Sequence, residues 1–348
     1  MNWTDLDWPA LDRLRDSFLR GPAGEGPYWK SESELSSYDL TYGERIGWKW
    51  DAVLRELRLR QWSPARPATG EKLTVLDWGC GSGIAGRRVI SFFGADNFSS
   101  LQVWDHSPLA ATFAATVAEQ AFPTLAVSQL TQGFLRSDEP VGLLVISHVL
   151  NELPTTALQE LRALIARAAS VLWVEPGTHA VSRQLGGLRD ELEASFHVVA
   201  PCTHRNLCPM FAPDNERHWC HFFAAPPSEI FANPDWVKFG QRAGVDLRSL
   251  PYCFIALDRA RPETESLPAA SGLSRVIGRP EHFKPYARVL NCDAEGLLEL
   301  TIPKRTAPTL YKQLDRTKAP LVYRWRREGA NVIDGEPLTL PASDAPAE

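Results

Sequence analysis

The sequence predicts an α/β protein whose central, Rossmann-like sheet is mainly parallel, with helices before it and an antiparallel β domain after it. Between residues 73 and 177, short apolar runs alternate with stretches of helical length. This pattern is typical of a parallel sheet covered by helices on both faces. A glycine-rich loop follows the first run, and beyond residue 273 short runs are separated by turn residues, as in antiparallel sheets.

Composition limits the class of protein. The chain has 348 residues, of which 44% are hydrophobic and 23% charged, so a folded protein of about two domains is expected. Its net charge of −5 excludes a uniformly basic nucleic-acid binder but allows a local basic face. Six cysteines are too few for a disulfide scaffold. Because neither a secretory signal nor a membrane-spanning run is evident, we expect a soluble, cytoplasmic protein.

The N-terminal region is predicted to be helical. Apolar residues recur along one helical face within 42–61, and residues 5–20 have a similar pattern. The stretch 63–70 is rich in proline and predicts a connector. We therefore place an N-terminal helical region at 1–65.

The next domain is predicted at 66–260. Its strands are expected at 73–79, 101–107, 142–150, 170–177 and 251–260, and its helices at 83–94, 108–122 and 156–169. Residues 201–245 interrupt the alternation with six prolines and three cysteines. Long irregular segments of this kind are usually functional or held by a metal, so we interpret 201–245 as an irregular, metal-binding insertion.

The C-terminal part is predicted to change architecture. Residues 261–330 are assigned to the antiparallel β domain. Residues 331–348 are rich in proline and acidic residues, which predicts a flexible tail.

The loop after the first strand carries the sharpest motif. Gly79, Gly81 and Gly83 alternate with other residues between a strand and a helix. Glycines at such a turn let the backbone bend tightly and approach a ligand at the N-terminus of the helix. The loop therefore predicts a site for a nucleotide-like cofactor.

Two acidic residues indicate which cofactor. Asp77 precedes the first glycine by two residues, where its carboxylate can hold an ammonium group. Asp105 closes the second strand, where an acid accepts hydrogen bonds from ribose hydroxyls. Gly81, Gly83 and Gly86 also satisfy the dinucleotide fingerprint, so a nicotinamide cofactor stays an alternative. The string from Asp77 to Gly83 resembles motif I of the class I methyltransferases, which favours S-adenosylmethionine.

The segment Ser147–Pro154 follows a buried strand at the edge of the sheet where the cofactor is expected. We therefore expect Ser147 and His148 to contact the cofactor. The segment lacks the Asn/Asp-Pro-Pro-Tyr string of amine methyltransferases. Its candidates for catalysis are His148, Asn151 and Glu152, and His148 either acts as a base near neutral pH or merely caps the strand.

Four cysteines predict a metal site. Cys202, Cys208 and Cys220 lie in the irregular insertion and Cys292 at the end of a later strand, and none of them forms C-x-x-C. Four thiolates at irregular spacing suit an iron–sulfur cluster. Zinc is an alternative, because three histidines lie close in sequence: His204, His218 and His221. Simple burial of small side chains is a third interpretation.

The stretch Thr301–Ala330 is strongly basic, with eight basic residues against two acidic ones. The basic residues are Lys304, Arg305, Lys312, Arg316, Lys318, Arg324, Arg326 and Arg327. Three aromatic residues are interleaved: Tyr311, Tyr323 and Trp325. This combination favours an RNA-contacting face over a merely solvated sheet.

Together these strings resemble one family, the mitochondrial-type small-ribosomal-subunit methyltransferase-like family, which has bacterial members. The matching strings are LDWGCGSG (76–83), SHVLNELP (147–154), VEPGT (174–178), APCTHRNLCP (200–209), WCHF (219–222) and VLNCDAEG (289–296). The resemblance covers roughly residues 45–330. It implies a seven-stranded class I methyltransferase fold, association with the small ribosomal subunit or its RNA, and a role in ribosome assembly and translation.

The resemblance also implies a 4Fe–4S cluster, with ligands falling on Cys202, Cys208, Cys220 and Cys292. The leading hypothesis is an S-adenosylmethionine-dependent methyltransferase-like protein acting on or with small-subunit ribosomal RNA. The first alternative is a catalytically silent assembly factor that carries the cluster. The second is a small-molecule methyltransferase.

Overall fold

The computed structural model describes residues 2–20, 29–64, 71–260, 272–315 and 321–339, although not the side chains of 18–20. The chain divides into two compact units. Unit 1 comprises Met1–Leu54, Pro64–Glu175 and Pro226–Leu250; unit 2 comprises Arg55–Ser63, Pro176–Ala225 and Pro251–Glu348. These limits differ from the sequence-based limits at 65 and 260.

The first half of the chain is α/β. Its helices are α1 (Trp8–Arg20), α2 (Glu32–Tyr38), α3 (Glu44–Leu59), α4 (Ile84–Phe93), α5 (Pro108–Ala121), α6 (Gln132–Leu135) and α7 (Thr155–Ala166). Its strands are β1 (Leu73–Trp78), β2 (Phe98–Trp104), β3 (Ala126–Gln129), β4 (Val141–Ser147) and β5 (Ala168–Pro176). Both helices expected in the N-terminal region, and every strand and helix expected between 73 and 177, are present.

The second half begins with α8 (His179–Leu192), β6 (His197–Ala200), β7 (Phe222–Phe223), α9 (Pro234–Ala243) and β8 (Pro251–Asp258). It continues with β9 (Leu273–His282), β10 (Tyr286–Asp293), β11 (Gly296–Pro303), α10 (Pro308–Leu314), β12 (Val322–Glu328) and β13 (Asn331–Pro337). Among the described residues, no helix is long and apolar enough to cross a membrane.

Unit 1 contains a parallel sheet in the order β3-β2-β1-β4-β5. Val75 on β1 pairs with Leu101 on β2 and with Leu143 on β4. The central strands are almost entirely buried because helices cover both faces, as the apolar runs predicted. Strands β2 and β4 lie on either side of β1, so the strand order reverses between β1 and β4. Open α/β sheets bind ligands beyond the carboxyl ends of the strands at such a point. The predicted α/β fold class is confirmed.

The predicted insertion contains a helix that the sequence analysis treated as irregular. Residues 234–243 form α9, whose first turn is capped by the Asn233 side chain and which ends at Gly244 with φ +64°. The Trp236 ring packs against Trp3 and Trp48, with centroid distances of 5.0 and 4.8 Å. The irregular interpretation of 201–245 is therefore wrong for this part, because aromatic burial stabilises a helix there.

Unit 2 contains two sheet regions. Strand β8 pairs antiparallel with β6 and with the two-residue β7. The other region is a closed barrel in the order β10-β11-β13-β12-β9, with β9 also paired to β10. Its pairs are antiparallel except that of β11 with β13, which is parallel at Thr301 and Asn331. The predicted C-terminal β domain is thus present as a barrel.

Strand β13 corrects the prediction of a flexible tail over 331–348. Residues 331–337 pair with β12, and Val332 is buried in the barrel core. The prediction relied on the acidic, proline-containing composition. The structure instead shows a strand whose residues alternate between buried and exposed and which completes the barrel. Residues 340–348 of the predicted tail, and most of the predicted connector at 63–70, lie outside the described residues.

A buried ion-pair network lies in unit 2. The Glu56 carboxylate pairs with the guanidinium groups of Arg60, at 2.9 Å, and of Arg275. Arg60 also donates to the carbonyls of Val199 and Pro201, at 2.9 and 2.8 Å. All three charged side chains are buried, and the single Glu56 carboxylate is shared by the two guanidinium groups, so the network fastens several segments of unit 2 together.

Candidate functional site

The glycine loop of unit 1 has a backbone that only glycine adopts readily. Gly79, Gly81 and Gly83 have φ angles of +67°, +52° and +77°. An added Cβ would stand 2.7 Å from Val149 Cγ1 at position 79 and 2.8 Å from Ala114 Cβ at position 83. These two glycines are therefore required for packing as well as for the turn.

Gly81 differs from its neighbours because an added Cβ would meet no described atom within 4 Å. Its N–H donates to Asp105 Oδ2 at 2.9 Å, which fixes the loop against the end of β2. The space in front of Gly81 is thus open to a ligand, and a side chain at this position would occupy it.

Asp77 is fully buried at the carboxyl end of β1. Its Oδ2 accepts a hydrogen bond from the Gly86 N–H at 2.9 Å, which ties α4 to the strand. Within the described part of the chain, Oδ1 has no hydrogen-bond partner. Burial raises the pKa of Asp77 to about 7. A cationic or donor group of a ligand would satisfy this oxygen.

Asp105 follows β2 at the same edge. It accepts from the Ser107 N–H at 2.8 Å as well as from Gly81, and burial raises its pKa. The structure therefore joins the end of β2 to the glycine loop through one carboxylate, as expected for neighbouring parallel strands.

His148 lies just beyond β4 with φ +56°, which is rare for a residue other than glycine. Its Nε2 is 3.0 Å from Lys49 Nζ and its Nδ1 is 3.2 Å from Ser147 Oγ. Ser147 Oγ also accepts from Trp50 Nε1 at 2.9 Å. Burial and the Lys49 charge lower the pKa of His148 well below its usual value, so the imidazole is neutral and both ring nitrogens are engaged.

Two carboxyls support and border this segment. Glu175 Oε1 accepts from the N–H groups of Val149 and Leu150, each at 3.1 Å, and from Trp173 Nε1 at 2.7 Å. Burial raises the pKa of both Glu175 and Glu152 to about 7, and Asp105 adds to the effect on Glu152. Glu175 thus holds the strained backbone at His148 in place.

Asn151, the remaining candidate for catalysis, is exposed. Sequence analysis missed Lys49 and Trp50 as members of this cluster. Both residues lie on α3, Lys49 99 positions before His148 and Trp50 97 positions before Ser147. Helical periodicity indicated only the packing face of this helix.

All four predicted metal ligands, Cys202, Cys208, Cys220 and Cys292, lie in unit 2. Burial raises the pKa of the Cys220 thiol, and Cys202, Cys208 and Cys292 raise it further through their charge. Cys202 and Cys208 have the same effect on Cys292. In the described ranges, no three His, Cys, Asp or Glu side chains converge closely enough to suggest a site for one metal ion.

The three histidines suggested for zinc have different surroundings. His204 Nε2 lies 3.6 Å from Cys292 Sγ. His221 stacks on Trp219 at 4.5 Å, and His218 Nε2 accepts from Arg217 Nε at 3.1 Å. His204 is thus the histidine that the structure puts beside a predicted thiol ligand.

Only part of the predicted basic face lies within the described residues. Lys304, Arg305, Lys312, Arg324 and Arg326 are exposed, and Arg316 and Lys318 lie outside the described residues. Arg327 pairs with Glu295 at 2.6 Å and Arg326 with Asp334 at 3.4 Å. Tyr323 is fully buried in the barrel core, and Trp325 Nε1 donates to Asn291 Oδ1 at 2.8 Å. Tyr323 is thus part of the core, which corrects its assignment to an RNA-contacting face.

Comparison with solved structures finds methyltransferases. Magnesium protoporphyrin IX methyltransferase from Synechocystis, solved with bound S-adenosylhomocysteine, is 13% identical over 73% of this chain and 95% of that one, with a TM-score of 0.38. A putative RNA methyltransferase from Pyrococcus horikoshii is 8% identical over 73% and 100%, with a TM-score of 0.34. Ribosomal protein L11 methylase from Lactobacillus delbrueckii is 21% identical over 42% and 68%, with a TM-score of 0.29.

A search of curated proteins finds no match. A family model, described as mitochondrial small ribosomal subunit Rsm22, matches residues 52–318. This range is well over half of the chain and includes the glycine loop, the segment after β4 and the four cysteines predicted as metal ligands. The chain therefore belongs to the mitochondrial small ribosomal subunit Rsm22 family, as the resemblance of its motifs predicted.

Proposed function

We propose that this chain binds S-adenosylmethionine at the glycine loop and acts on or with the RNA of the small ribosomal subunit. The observation that carries the proposal is the loop itself. Three glycines with positive φ follow β1, and the middle one faces open space. The Asp77 carboxyl at the end of β1 is buried, and its Oδ1 has no described partner. Membership of a small-ribosomal-subunit family supports the RNA part.

Each residue has a role in this proposal. Gly79 and Gly83 shape the loop, and Gly81 lets the cofactor approach the backbone. Asp105 accepts from ribose hydroxyls, and Asp77 Oδ1 accepts from the amino group directly or through a water. Ser147 and His148, at the carboxyl end of β4, contact the cofactor in this proposal.

When bound, the cofactor supplies an already activated methyl group, so this chain contributes orientation and the exclusion of water. His148, Asn151 and Glu152 remain the candidates for contact with the acceptor.

A matched pair of glycine variants tests cofactor binding. Gly81→Val fills the open space, and we expect at least tenfold weaker binding of S-adenosylmethionine by calorimetry. Gly329→Val is the control, because Gly329 has φ +58° and equally open surroundings but lies in unit 2. Both variants carry a similar backbone strain of about 1–2 kcal/mol. Equal affinity of Gly81→Val and the parent protein would contradict the proposal.

A second candidate function is a ribosome assembly factor that binds the cofactor without transferring its methyl group. One observation favours it: the Nε2 of His148, the candidate base, lies 3.0 Å from Lys49 Nζ. Transfer of a labelled methyl group to small-subunit RNA distinguishes the two functions. Methylation that Gly81→Val abolishes supports the enzyme; unmethylated RNA with normal subunit maturation supports the assembly factor.

We also propose that Cys202, Cys208, Cys220 and Cys292 hold a 4Fe–4S cluster, with zinc as the alternative. Support comes from the position of all four cysteines in unit 2 and within the range that the family model matches. Thiolates are the usual ligands of such clusters. Iron, acid-labile sulfide and zinc should be measured on anaerobically purified protein. About four iron and four sulfide per chain are expected; one zinc without sulfide would replace the cluster by a single-ion site.

A further inference from the structure

The barrel of unit 2 has a recognisable topology. In chain order its strands are β9 to β13, and around the barrel the first is followed by the second, third, fifth and fourth, which pairs back to the first. The third and fifth are parallel, and helix α10 lies between the third and fourth. This is the arrangement of the OB-fold. OB-folds bind oligonucleotides or oligosaccharides on the second and third strands and the loops flanking them.

In this barrel the second and third strands are β10 and β11. Along β10, Ala287 and Val289 point into the core, so Tyr286 and Arg288 point outward. The far end of β10 is occupied, because His204 lies against Cys292 and Asn206 Nδ2 donates to the Ala294 carbonyl at 3.0 Å. The end where β10 begins remains as the exposed part of this face.

An aromatic platform, formed by Phe283 and Tyr286, lies at that end. The two rings are stacked with centroids 4.8 Å apart and an interplanar angle of 30°. The Phe283 side chain is 38% exposed. Tyr311 Oη donates to the Phe283 carbonyl at 2.9 Å, and the Phe283 N–H donates to the Tyr286 carbonyl at 2.9 Å. The platform is thus fixed in position while one ring stays accessible.

Cations surround the platform. Lys284 and Arg305 are exposed, and exposed Lys304 is held beside the loop because its N–H donates to the Pro285 carbonyl at 2.9 Å. The Arg288 guanidinium lies 5.5 Å from the centre of the Phe283 ring. Arg288 also pairs with two carboxylates, those of Glu281 and Glu299. Four cations against two carboxylates leave a positive surface around an exposed ring, which favours a phosphate-bearing ligand over a neutral oligosaccharide.

We propose that this platform binds single-stranded RNA, with a base stacked on Phe283 and the adjacent phosphates near Lys284, Lys304 and Arg305. A single strand is required because a base can stack on a side chain only when it is free of its own helix. The proposal rests on the RNA part of the proposed function and is independent of cofactor binding.

Fluorescence anisotropy of the full chain with a labelled single-stranded RNA of about a dozen nucleotides tests the site. Phe283→Ala should weaken binding about tenfold or more, the effect of losing one base–aromatic stack, whereas Phe283→Tyr should retain it. Phe231→Ala is the matched control, since Phe231 is 46% exposed but lies in unit 1, and it should bind normally. Lys284→Ala and Lys304→Ala should each lower the salt dependence by about one unit.

Two results would overturn the site: binding by Phe283→Ala within twofold of the parent chain, or equally tight binding of duplex RNA. Calorimetry with S-adenosylmethionine on Phe283→Ala separates this proposal from the cofactor proposal. Normal cofactor binding together with weakened RNA binding assigns the loss to the platform and shows that the variant is folded.

Discussion

Asp77 and Glu175, two buried carboxyl groups of unit 1, have electrostatic surroundings opposite to those of Glu56, a buried carboxyl group of unit 2. In unit 1, Asp77 and Glu175 accept hydrogen bonds from neutral N–H donors, and burial raises the pKa of each to about 7. In unit 2, burial acts on Glu56 in the same direction, but the charges of Arg275 and Arg60 outweigh it and lower its pKa. Glu56 is thus held by two ion pairs in a structural network. Asp77 and Glu175 each keep an oxygen without a described partner, which suits a binding site.

The largest effect is expected from breaking the buried ion-pair network of Glu56, Arg60 and Arg275. Glu56→Gln leaves two buried guanidinium groups without their counter-charge, so the free energy of unfolding should fall by about 3–5 kcal/mol. Urea denaturation measures the change. Glu119→Gln, an exposed position on α5, should stay within about 0.5 kcal/mol. A loss below about 1 kcal/mol for Glu56→Gln would mean that the pairs are not coupled to stability.

Removing the charge at Asp77 should affect binding more than folding. Asp77→Asn keeps the shape and an acceptor for the Gly86 N–H, but removes the negative charge proposed to meet the cofactor's amino group. A charge-assisted hydrogen bond contributes about 1.5–3 kcal/mol, so calorimetric affinity for S-adenosylmethionine should fall roughly 10- to 100-fold. Asp96→Asn, at an exposed position, is the control. Unchanged affinity in Asp77→Asn would assign this carboxyl to the attachment of α4 alone.

For one group and one pH unit, the smallest effect is a pH dependence of stability that runs in opposite directions for the two kinds of carboxyl. A raised folded-state pKa means that the native state holds protons that the unfolded state has released. Asp77 and Glu175 should therefore lower stability as pH rises from about 4 to about 7, by at most ~1.4 kcal/mol per pH unit for each group. The lowered pKa of Glu56 contributes stability that is lost only as pH falls below its usual range.

Urea denaturation between about pH 5 and pH 8 should show this decline, and Asp77→Asn should flatten it. A wild-type stability that rises over the same interval would contradict the assignment of protonated carboxyls to the folded state.

Local pattern predicted unit 1 well. Strands β1, β4 and β5 are mainly apolar runs, and the glycine loop is encoded by consecutive residues, so both were predictable from the sequence. The contact of Lys49 with His148 was not readable, because it joins residues 99 positions apart. Helix α9 was missed although its signals were present: Asn233 as N-cap, Pro234 in the first turn and Gly244 at the end.

Unit 2 was harder to predict because its architecture depends on non-local pairing. The antiparallel pattern indicated a β domain, but strand β9 pairs with β12 across a helix and two strands, which periodicity does not specify. The sequence analysis selected Tyr323 as a possible RNA contact from composition, whereas the fold buries it. Phe283 and Tyr286 were not selected because their exposure follows from the turn between β9 and β10.

The parallel contact of β11 with β13 has a consequence for how the barrel resists association. At Thr301 and Asn331 these strands meet, and the Thr301 N–H donates to the Ala330 carbonyl at 2.8 Å. At this point the edges of the two strands pair with each other and are not open to another chain. Transient separation of β11 from β13 would expose an edge of each strand at once, so the hydrogen bond of Thr301 opposes edge-to-edge aggregation.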